Sequence, residues 1–95
     1  MRTWVDGELR QDGSTSDLIF DCYDLVATLS AAFPLAPGDL ITTGTPAGVG
    51  IATYPTGLLQ PGDLVRIEID GLGVIENPVV AEPEGSGYIG TERLA

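Results

Sequence analysis

Glycine and proline punctuate this sequence from end to end, thirteen of one and seven of the other in 95 residues. Proline removes a backbone donor and glycine loosens helices, so the spread favours a turn-rich β structure over a helical bundle. At this length, and with 43% hydrophobic residues, the chain holds one domain or a piece of one. A domain so small buries a limited share of its surface and has a narrow margin of stability.

Each break in the pattern has a local meaning. Arg2-Thr3-Trp4-Val5 and Glu8-Leu9-Arg10 flank Asp6-Gly7, which predicts a β-hairpin, because both central turn positions need positive φ. Gln11 to Ser16 is polar and is predicted as a loop. Leu18-Ile19-Phe20 makes an apolar anchor, followed by Asp21 as an N-cap and Asp24 in the first turn. Leu25, Val26, Leu29 and Phe33 recur at three- and four-residue spacings, predicting a helix from Cys22 to about Ala32 that Pro34 stops.

One device is used twice. Leu35-Ala36-Pro37-Gly38-Asp39-Leu40-Ile41 is echoed by Leu59-Gln60-Pro61-Gly62-Asp63-Leu64-Val65. Proline and glycine preset a turn, and the aspartate can cap it before an apolar strand begins. Two copies fall short of a solenoid. Leu64 to Ile69 alternates over its second half, as in a sheet with one wet face, and Asp70-Gly71-Leu72-Gly73 returns it into Val74 to Pro78. The expected fold class is mainly β with one short α-helix, an α+β arrangement. Residues 82–95, rich in glycine and proline, are expected to form a flexible tail.

Charge narrows the partners. A formal net charge of −10, from 14 acidic and 4 basic side chains, repels polyanions, so neither nucleic acid nor an anionic membrane is an expected partner. The acids stand singly beside turns, as at Asp6, Asp39, Asp63 and Asp70, where turn chemistry and solubility explain them. Cys22 is the sole cysteine, so no intrachain disulfide can form and a reducing compartment is expected. With no membrane-length apolar run and no leader pattern, the chain is expected to be soluble and cytoplasmic. Histidine is absent, so any general base must be a carboxylate, a metal-bound water or a group from elsewhere.

The least ordinary stretch is Gly38 to Gly50, GDLITTGTPAGVG. Leu40 to Thr43 is predicted as a strand ending at Gly44, where Gly44 and Thr45 offer backbone N–H groups and a hydroxyl. Gly48 and Gly50 allow the chain to pass close to another group. Such a loop can cradle a carboxylate or enolate with neutral donors. It lacks the Gly-Lys-Ser/Thr ending of a phosphate-binding loop. On pattern alone the structural turn is the favoured reading, since glycine-rich turns greatly outnumber ligand cradles.

Order and context go further. Trp4 to Gly13, Thr15 to Phe20, the helix ending Leu29-Ser30, and Leu35 to Gly50 with its Thr-Gly-Thr-Pro-x-Gly-Val-Gly run succeed one another along the chain. Leu59 to Val65, Gly71-Leu72-Gly73 and Asn77-Pro78-Val79 continue the series. Together they resemble the C-terminal half of the fumarylacetoacetate hydrolase family. The resemblance implies a mixed β-roll fold, a homodimer, and Mg²⁺ or Mn²⁺ acting as a Lewis acid on 2-oxo or β-diketo acids that are hydrolysed, decarboxylated or tautomerised. It also implies that Thr45, supported by Gly44 and Thr43, holds the substrate carboxylate.

The same resemblance places the metal ligands, a Glu-x-Glu pair and an aspartate, before Trp4, together with a lysine and, in hydrolytic members, a His/Glu pair. Glu82 and Glu84 enclose Pro83 and read as solvated, so no catalytic residue and no metal ligand is assigned here. Residues 1–81 are expected to be the C-terminal portion of such a domain, inactive alone. An incomplete gene, an expressed half and a subunit completed by a separate N-terminal half all fit, and an inactive interaction piece is the alternative. A module binding a small oxo acid through Thr45 alone is disfavoured by the want of a basic partner.

Overall fold

The computed structural model describes residues 1–53 and 57–85. Strands β1 (Arg2–Val5), β2 (Glu8–Asp12), β3 (Leu64–Ile69) and β4 (Gly73–Pro78) form one sheet in the order β2-β1-β3-β4. Every neighbouring pair is antiparallel. Helix α1 (Cys22–Ala32) lies between β2 and β3 in the chain, with short 3-10 turns at Thr15–Asp17 and Gly50–Ala52. A small antiparallel sheet with one helix is an α+β arrangement, as the sequence indicates.

The predicted hairpin turn is present, with Asp6 at φ 49 and Gly7 at φ 80. Asp6 has a second role that sequence proximity does not reveal. Its N–H donates to the Leu64 carbonyl at 2.9 Å, and its Oδ1 accepts from the Leu64 N–H at 2.8 Å. One residue therefore closes the hairpin and pins the start of β3, which joins β1 across the long segment that contains α1. The register Thr3↔Ile67 and Val5↔Val65 puts these side chains on one face, and Trp4↔Arg66 and Arg66↔Glu76 on the other. The second face is wet: Arg66 Nε donates to Glu68 at 3.0 Å and its guanidinium reaches Glu76 at 3.7 Å. The hydrogen bond to Glu68 holds the Arg66 guanidinium above its usual range.

β2 contains an irregularity that shapes the site. Thr3 pairs with Gln11 and Trp4 with Leu9, leaving Arg10 as an extra residue. This is a β-bulge, which lets successive side chains share a face that regular pleating would divide between them. Gln11 and Asp12 thus continue the strand, where a loop was predicted. The loop prediction fails because β1 supplies ladder partners to residues whose composition is polar.

The twin turns match in detail. Asp39 Oδ2 accepts from the Ala36 N–H at 2.8 Å, and Asp63 Oδ2 accepts from the Gln60 N–H at 2.8 Å. Beyond the turns the two copies diverge. Leu64 enters β3, whereas Leu40 to Thr43 joins no ladder, so the strand predicted there does not form. A strand exists only through its neighbours, and this segment has none among the described residues; Leu40 is 91% exposed.

Helix α1 spans the predicted residues. Asp21 Oδ1 accepts from the Asp24 N–H at 2.8 Å, and the Phe33 N–H closes the last turn on Leu29 at 3.1 Å. Its apolar stripe is uncovered, because α1 packs against none of the strands. Among the described residues only Val5 is buried. The chain exposes 8136 Å², whereas a compact 9.9 kDa monomer exposes roughly 5,200 Å². Its radius of gyration is 17.4 Å, against about 12 Å for a compact chain of this length. Of the predicted tail, residues 86–95 lie outside the described residues.

Candidate functional site

The Thr-Gly-Thr-Pro loop is fastened to the bulge in β2. Gln11 Nε2 donates to Thr45 Oγ1 at 2.8 Å and to the Pro46 carbonyl at 3.1 Å. Gly48, at φ +106, packs so tightly on the bulge that a Cβ there would lie 1.9 Å from the Arg10 carbonyl oxygen. A Cβ at Gly13 would meet the Pro46 ring at 3.1 Å. Backbone contact and a paired side-chain amide therefore fix where Thr45 stands, and its hydroxyl is left exposed.

An open cleft of about 280 Å³ lies over the inner face of the sheet. Thr45, Gln11 and Arg10 line it together with Val5, Val65 and Gly48. Arg10 is half-buried; its Nη1 donates to the Gly57 carbonyl at 3.4 Å, a long bond, and its Nε lies 3.2 Å from Glu8 Oε1. That Nε is buried and makes no hydrogen bond, so Glu8 attracts the guanidinium without satisfying it. A larger hollow of about 370 Å³ on the wet face is lined by Trp4, Leu64, Arg66 and Glu76. Its cation is already paired with carboxylates, which leaves it without an attraction for anions.

Of the predicted substrate-binding residues, Thr45 lines the cleft, whereas Thr43 and Gly44 are exposed beside it and do not. Sequence reasoning missed Arg10 and Gln11. The available signal was that Arg10 is one of only 4 cations in a chain of net charge −10. The bulge that turns it inward has no sequence signature here.

The donors in the cleft are a hydroxyl, an amide and a guanidinium, which suit a carboxylate. They do not suit a divalent metal, which needs several oxygen ligands and is repelled by arginine. No cluster of three or more metal-ligating side chains occurs among the described residues. Nor is any described helix long and apolar enough to cross a membrane.

Fold and cleft together define an α+β unit with an anion-suited loop laid over a sheet face. Residues 1–80 match the family model for the fumarylacetoacetate (FAA) hydrolase C-terminal region, and the chain belongs to this family. Oxaloacetate tautomerase YisK of Bacillus subtilis is 47% identical over 79 residues, covering 83% of this chain and 26% of that protein. The fumarylacetoacetate hydrolase of the psychrophile Exiguobacterium antarcticum superposes with a TM-score of 0.79 at 43% identity, over 85% of this chain and 29% of that one. The 2-hydroxyhepta-2,4-diene-1,7-dioate isomerase of Mycobacterium marinum superposes with a TM-score of 0.69 at 46% identity, over 83% and 29%. These relatives are enzymes, and the chain spans about a quarter of the length of the curated relatives it matches.

Proposed function

We propose that this chain supplies the carboxylate-holding wall of an active site for 2-oxo or β-diketo acids of the oxaloacetate or acylpyruvate type. The enzyme would hydrolyse, decarboxylate or isomerise them. The observation that carries this is the Thr45 hydroxyl, fixed by Gln11 and exposed to a cleft that Arg10 also lines. Arg10 provides the basic partner that a lone loop would lack, and the kinship with a tautomerase and an isomerase agrees with oxo-acid chemistry. Anchoring one carboxylate fixes the plane of the adjoining oxo group, which orients the neighbouring C–H or C–C bond for cleavage.

The site is completed by further structure. Large apolar side chains on the helix, the loop and the sheet, among them Tyr23, Phe33, Leu40 and Ile75, stand exposed, a surface of the kind that an interface covers. A complementing N-terminal half, or a second copy in a homo-oligomer, would cover it and extend the sheet into a mixed β-roll. We also propose a Mg²⁺ or Mn²⁺ ion held by ligands other than the residues of this cleft, and a cytoplasmic location. Expressed from its own locus, the natural gene product is assayed with oxaloacetate and acylpyruvates in the presence of either metal. Thr45→Val is expected to lower kcat/KM roughly tenfold or more, mostly through KM. Unchanged kinetics in that variant would overturn the carboxylate role.

A further inference from the structure

We propose that Gln11 is a positioning residue that makes Thr45 a hydrogen-bond donor toward the cleft, an inference that rests on the proposed carboxylate role of Thr45. The orientation of the Gln11 amide is set by its partners. Pro46 O, 3.1 Å away, can only accept, so the nitrogen and not the oxygen of the amide must face it. The same nitrogen then gives its other hydrogen to Thr45 Oγ1 at 2.8 Å. Both amide hydrogens are thereby committed.

A hydroxyl has one hydrogen to give, and Gln11 occupies its oxygen as an acceptor. Among the described residues no group takes the Thr45 hydrogen. It is left for a ligand, and the only ligand chemistry it suits is an acceptor such as a carboxylate oxygen. Donation by Gln11 also polarises the hydroxyl, so the two hydrogen bonds strengthen each other. Gln11 pairs with Thr3 on the inner face, and the β-bulge sets Arg10, the extra residue beside it in sequence, along the same cleft.

The test is binding of oxalate, a small planar dicarboxylate, to the natural gene product with Mg²⁺ present. Gln11→Met, which keeps the length and loses the donor, is expected to weaken oxalate roughly tenfold or more, as is Thr45→Val. The double variant is expected to be no weaker than either single one, because both remove the same relay. In the wild type the Gln11 side-chain amide resonances are expected to shift on oxalate binding, a response that a mere spacer would not give. If Thr45→Val weakens oxalate and Gln11→Met does not, or if the two losses multiply, the proposal is overturned while the carboxylate role stands. If oxalate ignores Thr45→Val, that role falls and takes the proposal with it. Should Gln11→Met fail to fold, Gln11→Glu preserves the shape but accepts the hydroxyl hydrogen. It is expected to cost more affinity beside Thr45 than in the Thr45→Val background, and equal losses would overturn the proposal.

Discussion

Among the described glycines, Gly48 is the one where an added methyl group would meet the closest backbone atom. The added Cβ would stand 1.9 Å from the Arg10 carbonyl oxygen, where ordinary contact begins at 3.4 Å. The loop must therefore retreat by about 1.5 Å. Such a retreat carries the Gln11 contacts, now 2.8 and 3.1 Å, beyond hydrogen-bond reach. Gly44→Ala is the control, since Gly44 also has positive φ (+86) but a Cβ there meets nothing within 4 Å. Gly44→Ala is expected to cost only the backbone term, roughly 1–2 kcal/mol. Gly48→Ala adds an overpacking term of roughly 1–3 kcal/mol. Urea unfolding of the natural gene product at constant m-value reads the difference, and the Gln11 side-chain amide resonances report the loop. If Gly48→Ala proves no less stable than Gly44→Ala and leaves those resonances in place, the packing of the loop on the bulge is wrong.

Other residues give independent checks. Asp6→Ala loses the bond to the Leu64 N–H and leaves alanine at φ 49, a cost of about 2 kcal/mol by denaturant titration. Asp6→Asn, which tolerates positive φ and keeps an acceptor, is expected to cost clearly less. Asp21→Ala removes the cap on the Asp24 N–H and is expected to destabilise α1 by about 1 kcal/mol, seen as helix loss by circular dichroism. Asp39→Ala and Asp63→Ala break equivalent bonds; hydrogen exchange is expected to show the second loosening β3 and the first only its own turn. The Arg66 pairs are exposed and screened by solvent, so Arg66→Gln is expected to leave the urea midpoint nearly unchanged.

Much of the local structure was legible because single residues dictate it. Asp6-Gly7 can hardly avoid a tight hairpin, Asp21 and Pro34 bracket a helix, and each Pro-Gly-Asp folds onto its own aspartate. Thr45 was legible for a different reason, namely that an ordered series of motifs carried a family resemblance. What sequence could not show depends on partners distant in the chain. The union of β1 with β3, the bulge at Arg10 and the Gln11 bond to Thr45 are tertiary facts, each decided by which backbone lies alongside. Leu40 to Thr43 illustrates the same point from the other side. Its residues suit a strand, but suitability without a neighbour leaves it outside the ladder.

A regular strand alternates its side chains between faces, so the chemistry of one face is normally written in every second codon. Here two adjacent codons, those of Arg10 and Gln11, serve the same cleft. The hairpin does not need both: without Arg10, Leu9 could still face Trp4 and Gln11 still face Thr3, in a ladder more regular than the present one. The cation is therefore carried on a residue that is surplus to the sheet. A single in-frame codon deletion could change the cleft from cationic to neutral while keeping its amide and hydroxyl, a short route by which a related gene could trade one class of ligand for another.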